Sequence, residues 1–465
     1  MSNTICAIAT PNGMGAIAVI RISGPEALSI VSSLLQCNGK LLDINSIVPN
    51  KVYYGHLIYK GELLDEVLVT FFKAPHSFTG EDTAEISTHG SVYVQQKLLE
   101  VLILMSCRMA EPGEFTRRAF INGKFDLAQA EAIADLISSE SEAAHRIAVN
   151  QLKGGFSKEL QMMRSKLLEM TALMELELDF SEEDVEFADR SQLKVLLEET
   201  LNHVNRLKNS FHLGNAIKNG ISVAIVGQTN TGKSTLLNAL LGEDRAIVSD
   251  IAGTTRDTIE ETLNINGVLY RFIDTAGLRH TDETIEKIGI ERTFKKISEA
   301  LLVIGVLDST LDYDAMLSSA REIAAKVDQQ HQQFILCINK VDTLDDKGEA
   351  YKIQLQQDLD NDSILIVTLS AKHGMGLDNL IDALKQSQPL THSDTTLVTN
   401  IRHYEALLNA SLSLEQVQQG LEDNIPTDLV SQDLRQALFY LGSITGEITT
   451  DEILGTIFSR FCIGK

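Results

Sequence analysis

Alternating apolar and polar positions dominate residues 1–122, and turn residues separate the runs. Val52–Tyr59 and Glu66–Phe72 have the alternation of half-buried strands, and Lys60–Gly61 between them predicts a hairpin turn. Val92–Met105 has helical spacing instead. The pattern therefore predicts an α+β domain of strands and turns with one helix.

From Phe125 onward, apolar residues recur at every third or fourth position. The clearest series is Leu160, Met163, Leu167, Met170, Met174 and Leu178. This spacing predicts a helix bundle with the methionine and leucine stripe as its core. Helical spacing returns after about residue 395, so we predict one helical domain in two parts, residues 123–215 and 386–465.

Between the two helical parts, residues 216–385 alternate short apolar runs with helical segments. The predicted strands are Ile221–Val226, Leu269–Ile273, Leu301–Leu307, Phe334–Ile338 and Ile364–Leu369. Such alternation predicts a mostly parallel sheet covered by helices. The simplest domain organisation inserts this unit into the helical domain, and the Ser- and Thr-containing stretch Gln388–Asn400 is the predicted exit linker.

A glycine-rich loop, Gly227–Ser234, follows the first strand of the insertion and precedes a helix. It has the G-x-x-x-x-G-K-[ST] spacing whose backbone N–H groups surround phosphate oxygens at a helix N-terminus. Lys233 is expected to reach the β- and γ-phosphates, and Ser234 to bind Mg²⁺. The loop residues expected to contact nucleotide are Asn230, Thr231, Gly232, Lys233, Ser234 and Thr235.

Further polar motifs follow later strands of the same sheet, at the ends where such sheets bind ligands. Asp274 is expected to hold the Mg²⁺ shell through water, and the Gly277 amide to meet the γ-phosphate. The Asp342 carboxylate can accept two hydrogen bonds from guanine N1 and N2, which adenine cannot offer. The motif residues are Asp274, Thr275, Ala276, Gly277, Asn339, Lys340, Val341, Asp342, Ser370, Ala371 and Lys372. Their order predicts a GTPase with a Ras-like fold.

A segment between the glycine-rich loop and Asp274 supplies another set of candidates. These are Ser249, Asp250, Ile251, Ala252, Gly253, Thr254 and Thr255. Thr255 is expected to complete the Mg²⁺ shell when a γ-phosphate is present. Leu278 stands where many Ras-like GTPases carry the glutamine that orients water, so hydrolysis must use another group.

Composition describes a soluble globular chain, with 22% charged and 44% apolar residues among 465. No stretch approaches the roughly 20 apolar residues of a membrane span, and no secretory signal is present. We therefore expect a cytoplasmic protein without membrane contact. A formal net charge of −24 repels nucleic acid, so RNA binding would need a partner protein or a local basic patch. Candidate RNA contacts are Arg117, Arg118 and Arg402.

Several polar segments have no assigned role at this point. Phe78–Glu85 and Pro112–Phe120 are either ordinary polar loops or parts of a site. Neither the histidines nor the cysteines have metal-binding spacing, and scattered cysteines favour reduced thiols over disulfides. The residues concerned are His56, His76, His89, Cys6, Cys37, Cys107, Cys337 and Cys462.

Taken together, several segments resemble the MnmE (TrmE) family of tRNA modification GTPases. They are Gly113–Phe115, Asp126–Glu131, Asp250–Asp257, Asp274–Arg279, Ile288–Arg292 and Phe461–Lys465. The resemblance covers essentially the whole chain. The GTPase motifs alone would also suit ribosome-assembly GTPases, but the terminal pentapeptide and the inserted domain occur together in this family.

The resemblance implies a folate-binding, dimerising N-terminal domain, followed by a helical domain with an inserted, potassium-dependent G domain. It implies catalytic roles for Glu286 and Cys462. The implied K⁺ ligands are Asn230, Ser249, Ile251 and Thr254, and the implied folate contacts are Arg21, Glu85, Lys124 and Lys465. The chain departs from the family at His280 and at Gln228–Thr229 in the glycine-rich loop, which bears on rates more than on function.

The implied reaction adds an aminomethyl or carboxymethylaminomethyl group at C5 of the wobble uridine, U34, of certain tRNAs. The one-carbon donor would be 5-formyl- or methylene-tetrahydrofolate. The implied partner is the flavoprotein MnmG, which would carry FAD and form a heterotetramer with the chain. A non-catalytic RNA-binding or ribosome-assembly switch is the alternative hypothesis, and such a switch would need neither Cys462 nor a folate pocket.

Overall fold

A computed structural model describes most of the chain. The described residues are 3–11, 13–179, 190–242, 261–273, 297–298, 300–328, 332–343, 348–361, 363–387, 396–423, 425–449, 451–459, 461 and 464. The chain divides into two compact units. One comprises Met1–Ile137, Val149–Val204 and Ala406–Lys465, and the other Ser138–Ala148 and Asn205–Glu405.

The first unit begins with a sheet that, in the described residues, has eight strands in the order β4-β3-β5-β6-β7-β2-β1-β8. Strands β1 to β8 are Ile5–Ile8, Ile17–Ser23, Leu35–Cys37, Lys40–Leu41, Val52–Tyr59, Glu62–Phe72, Thr83–His89 and Arg108–Met109. All neighbours are antiparallel except β1 and β8. The predicted hairpin is confirmed: Tyr59 pairs with Glu62, and Lys60 and Gly61 both have positive φ, as a tight hairpin turn requires.

Helices α1, α2 and α3 are Ala27–Leu34, Val92–Leu104 and Glu114–Ile121. The first two pack on the sheet through a core that includes Ile20, Val31, Leu57, Val69 and Leu98. The expectation of one helix before residue 122 was wrong. In this short helix only Ser29 and Ser33 are exposed, so its polar face is narrow and its helical period weak. The α3 helix buries charged residues, which made Pro112–Phe120 resemble a loop.

The predicted helical segments follow. Helices α4 to α8 are Leu127–Ser138, Glu142–Leu152, Gly155–Asp179, Arg190–Asn209 and Phe211–Asn219. The predicted core stripe is confirmed, because every described side chain of the series from Leu160 to Met174 is almost fully buried. Gly154, with φ of +79°, lies at the break between α5 and α6. This left-handed conformation suits glycine and lets the chain turn into the next helix.

The second unit contains a six-stranded sheet in its described part, ordered β10-β11-β9-β12-β13-β14. Strands β9 to β14 are Ile221–Val226, Glu261–Ile265, Val268–Phe272, Leu302–Asp308, Gln333–Asn339 and Leu365–Thr368. The predicted parallel sheet is confirmed, with one antiparallel addition: β10, an edge strand that pairs with β11. Sequence analysis missed β10, a short run in which only Leu263 and Ile265 are buried.

Helices cover both faces of this sheet. Helices α9 to α12 are Lys233–Leu241, Tyr313–Ala324, Gly348–Leu359 and Leu377–Gln386. Leu236 of α9 and Leu380 of α12 join one apolar cluster, and Met316 of α10 and Leu355 of α11 join the other. The strand order reverses at β9, which has β11 on one side and β12 on the other. Ligands of such sheets bind at this crossover, beyond the carboxyl ends of the strands.

The chain ends with helices α13 to α15, which are Ile401–Glu422, Thr427–Thr445 and Asp451–Phe458. Within the first unit, α14 packs against α6.

Arg118, a candidate RNA contact, is only 8% exposed. Its guanidinium bonds Glu81, Glu114 and the Asn3 carbonyl, so that proposed role was wrong. None of the described helices has the length and apolar character needed to cross a bilayer.

Candidate functional site

The glycine-rich loop joins β9 to α9 at the crossover of the sheet, and two of its glycines are required by close approach. A Cβ atom on Gly227 would lie 2.4 Å from the Val306 carbonyl oxygen. On Gly232, which has φ of +96°, it would lie 2.3 Å from Asn339 Nδ2. A side chain at either position would displace the neighbouring strand end or its side chain. The loop is therefore packed tightly against β12 and β13.

The Lys233 side chain folds back over the loop. Its Nζ donates to the carbonyl oxygens of Gly227, at 2.9 Å, and Gln228, at 2.6 Å. Thr231 Oγ1 donates to the same Gln228 carbonyl, at 3.0 Å. Ser234 follows in the first turn of α9, where backbone N–H groups and the helix dipole favour an anion. A cation and a helix N-terminus thus lie together at the loop, and both favour a bound phosphate.

The Asn339 side chain connects three of the predicted motifs. Its Nδ2 donates to the Thr231 carbonyl at 2.8 Å, and its Oδ1 accepts from the Ala371 N–H at 3.0 Å. Asn339 is only 3% exposed, so these bonds are sheltered from water. The phosphate end and the predicted base end of the site therefore share one buried amide.

The predicted guanine-reading carboxylate, Asp342, lies in the short 3₁₀ turn Val341–Thr343. The Ser370 hydroxyl beside it holds the pKa of the Asp342 carboxyl below its usual value, although the two groups miss strict hydrogen-bond geometry. His373 Nε2 lies 3.6 Å from Asp342 Oδ2. An ionised carboxylate can only accept hydrogen bonds, which is what the N1 and N2 hydrogens of guanine need.

A second group of predicted site residues lies in the first unit. Arg21 and Glu85 are register partners on β2 and β7, and Arg21 Nε donates to Glu85 Oε1 at 2.8 Å. The Arg21 guanidinium carbon lies 5.3 Å from the Phe78 ring centroid and 5.7 Å from that of Phe115. Arg21 Nη1 also donates to the Gly464 carbonyl, at 3.2 Å. A charged pair, two aromatic faces and the chain terminus meet here.

The loops around this pair hold the remaining described candidate. Lys124 Nζ donates to the Pro75 carbonyl at 3.1 Å, and the ring of the next residue, Phe125, lies 5.8 Å from that of Phe78. A Cβ atom on Gly113 would lie 2.5 Å from the Phe458 carbonyl. The end of α15 therefore packs directly on the start of α3. Phe78 and Glu85 of the first polar segment and Phe115 of the second all contact Arg21, so the two segments meet at this side chain.

Comparison with known proteins identifies the family. Residues 4–124 match the model of the GTP-binding protein TrmE N-terminus, and residues 127–462 match that of the MnmE helical domain. Proteins named tRNA modification GTPase MnmE from Bacteroides thetaiotaomicron and Bacteroides fragilis are each 50% identical to the chain. These alignments cover 100% of this chain and 99% of each relative. The chain belongs to the MnmE family of GTPases.

A relative from Flavobacterium johnsoniae, also named tRNA modification GTPase MnmE, is 49% identical, over 100% of this chain and 99% of its own length. MnmE-family membership makes the chain a GTP hydrolase and agrees with its multidomain fold.

One charged residue at this end of the sheet was missed by sequence analysis. Asp308, the last residue of β12, has Oδ2 2.6 Å from Lys340 Nζ. The available signal was an acidic residue at the carboxyl end of a predicted strand, where ligand-binding groups concentrate. Another contact, from Gln228 Nε2 to Ser319 Oγ at 2.8 Å, had no sequence signal.

Several predicted site residues lie outside the described part of the chain. They are Ser249, Asp250, Ile251, Ala252, Gly253, Thr254, Thr255, Asp274, Thr275, Ala276, Gly277, Glu286, Cys462 and Lys465. Their roles stay predictions. The described members of the nucleotide set, Asn230 to Thr235, Asn339 to Asp342 and Ser370 to Lys372, all belong to one sheet end.

Proposed function

We propose that this chain is a potassium-dependent GTPase that modifies tRNA together with the flavoprotein MnmG. It would add an aminomethyl or carboxymethylaminomethyl group at C5 of U34 in certain tRNAs, with one carbon drawn from folate. The observation that carries the nucleotide half is the Asn339 amide, which joins the phosphate loop to the base end. The tRNA half is supported by the names of the full-length relatives.

In this proposal Lys233 and the α9 N-terminus hold the β- and γ-phosphates, and Ser234 and Thr255 hold Mg²⁺, with Asp274 acting through water. Bound Mg²⁺ neutralises phosphate charge. Lys233 Nζ exchanges its present carbonyl acceptors for phosphate oxygens, which are stronger acceptors because they are charged. Asp342 accepts from guanine, and the Ser370–Lys372 backbone covers the base edge.

The hydrolytic step needs polar groups because Leu278 cannot orient water. We propose Glu286 for that role and Asn230, Ser249, Ile251 and Thr254 as K⁺ ligands. Asn230 has φ of +63°, a left-handed conformation that asparagine tolerates better than most residues. Bound K⁺ would offset charge that develops on the phosphates.

Two measurements test this hydrolytic arrangement. Replacing K⁺ by Na⁺ should slow hydrolysis sharply, and equal rates in the two salts would remove the assignment of Asn230 as a K⁺ ligand. Normal turnover of Glu286→Ala would remove the assignment of the glutamate.

The pair Arg21 and Glu85, with Lys124 and Lys465, is proposed to bind 5-formyl- or methylene-tetrahydrofolate. Half-buried Phe78 offers part of an aromatic ring to a flat ligand, whereas Phe115 is fully buried and packs against Arg21. The charged pair offers both donors and acceptors. Arg21→Ala should abolish folate binding in calorimetry while GTP hydrolysis continues, and unchanged folate affinity would refute this site.

Cys462 is proposed as the catalytic thiol of the modification reaction, with FAD supplied by the partner only. Cys462→Ser should abolish wobble-uridine modification while GTP hydrolysis continues. The readout is mass spectrometry of wobble nucleosides from cells that lack the chain and are complemented with each variant. Unchanged modification would exclude the thiol, and unchanged modification in the uncomplemented cells would favour the alternative, a ribosome-assembly switch.

The assembly proposed is a homodimer through residues 1–122 that joins MnmG in a heterotetramer in the cytoplasm, where tRNAs are modified. The proposed domains are 1–122, 123–215, 216–385 and 386–465. Because the chain is strongly acidic, tRNA contact would rely on the partner and on local cations such as Arg117 and Arg402. Size-exclusion chromatography with light scattering, with and without MnmG, measures both assemblies.

A further inference from the structure

An ion pair joins the ends of two neighbouring strands in the second unit. Strands β12 and β13 are parallel, and Asp308 is the register partner of Asn339. Lys340, the next residue, places Nζ 2.6 Å from Asp308 Oδ2. The Asp308 side chain is only 11% exposed and that of Lys340 34%, so solvent screens this pair less than an exposed one.

The Asp308 carboxylate is itself held in a fixed orientation. Its Oδ1 accepts from both the backbone N–H and the hydroxyl of Thr310, at 3.0 and 2.6 Å. Burial opposes ionisation, but the hydrogen bonds from Lys340 and Thr310 outweigh it and lower the pKa of Asp308 below its usual value. One carboxylate oxygen is thus fixed by its own turn, and the other is directed at Lys340.

Lys340 lies at a sharp bend of the backbone. Its φ is +69°, a left-handed conformation that is strained for a residue with a Cβ atom. The residue before it, Asn339, is fixed by its two buried hydrogen bonds. The proposed guanine reader, Asp342, follows two residues later. The direction of the chain from Asn339 to Asp342 therefore depends on the bend at Lys340.

We propose that Asp308 is a positioning residue that, through Lys340, orients the guanine-binding end of the site. This inference rests on the nucleotide site proposed above. The ligands affected are guanine nucleoside di- and triphosphates. Because both share the base and ribose, loss of Asp308 should weaken GDP and GTP equally. The phosphate end is fixed separately by Asn339 and the α9 N-terminus, so KM should rise more than kcat changes.

The test is Asp308→Asn in the full-length chain, with Kd measured for GDP and for a non-hydrolysable GTP analogue. This substitution keeps the shape and the Oδ1 acceptor but removes the charge that faces Lys340. We expect both Kd values to rise about ten-fold, the usual range for coupled charged neighbours. KM for GTP should rise with them while kcat changes less than about two-fold.

Glu322→Gln is the matched control, because Glu322 of α10 pairs with Lys326 just beyond the helix end, in the same unit but outside the site. It should leave Kd unchanged. Melting temperatures of both variants separate a local effect from a loss of folding.

A double-mutant cycle with Lys340→Gln decides whether Asp308 acts through Lys340. The effect of Asp308→Asn should largely disappear in the Lys340→Gln background. An Asp308→Asn variant that binds both nucleotides as tightly as the parent would overturn the proposal. So would a loss of affinity that persists in full without Lys340. Failure of the parent chain itself to bind GDP or GTP would instead refute the nucleotide site.

Discussion

Gly232→Ala tests the tight packing of the phosphate loop against β13. The new Cβ atom would lie 2.3 Å from Asn339 Nδ2, a distance that real Cβ atoms do not tolerate. The φ of +96° adds a backbone penalty of about 1 kcal/mol. Moving Asn339 breaks its bond to the Thr231 carbonyl, and an unsatisfied buried group costs about 1–3 kcal/mol.

The backbone penalty and the lost hydrogen bond together cost about 2–4 kcal/mol. The middle of this range corresponds to a loss of GDP affinity near 100-fold. Isothermal titration calorimetry measures this loss, and circular dichroism melting shows whether the variant folds. Gly374→Ala is the control, because Gly374 has φ of +72° but nothing lies within 4 Å of its Cβ position. In the Gly374→Ala control only the backbone penalty applies, because the new Cβ atom meets no neighbour. If Gly232→Ala binds GDP within about three-fold of the control, the packing argument is wrong.

Three further outcomes follow from described contacts. Asp342→Asn should weaken GTP binding and favour xanthosine nucleotides, because an amide donor then faces the base. Nucleotide competition assays measure this change, and a retained preference for GTP would exclude Asp342 as the residue that recognises guanine. Leu167→Ala should lower the free energy of unfolding of the helical part by about 2–5 kcal/mol, since Leu167 is fully buried. Urea denaturation measures this free energy, and a loss near zero would contradict the packing of Leu167 in the core. Burial opposes ionisation of Glu114, but hydrogen bonds from Arg108, the Glu111 N–H and Arg118 outweigh burial and lower the pKa of the Glu114 carboxyl. The ionised carboxylate therefore stabilises the fold above about pH 4.3, the pKa of an unfolded glutamate. This stabilisation is lost as the pH falls through the folded pKa. Melting temperature should therefore fall more steeply on acidification for the parent chain than for Glu114→Gln, and parallel curves would refute the linkage.

Much of the second unit was predictable from sequence. Ile221–Val226 is a strand with the predicted bounds, and the other four predicted strands are correct to within one residue at each end. Each is a short apolar run in a parallel sheet buried on both faces, which gives a strong local signal. The edge strand Glu261–Ile265 lacks such a run and was missed.

The N-terminal region was less predictable because its helices bury unusual residues. Glu114 and Arg118 are nearly buried in α3, where their charges pair with each other and with Arg108 and Glu81. A charged segment usually indicates a solvated loop, and only the fold shows that these charges satisfy one another.

Sequence by itself determined the order of the motifs predicted to bind phosphate, Mg²⁺ and guanine, and their positions after strands of the sheet, because both depend on local spacing. It also indicated the family, through motifs spread over the whole chain. Tertiary structure alone decided that Asn339 joins the two ends of the site and that Asp308 meets Lys340. These contacts join residues more than thirty positions apart, and only the parallel pairing of β12 with β13 brings Asp308 beside Lys340.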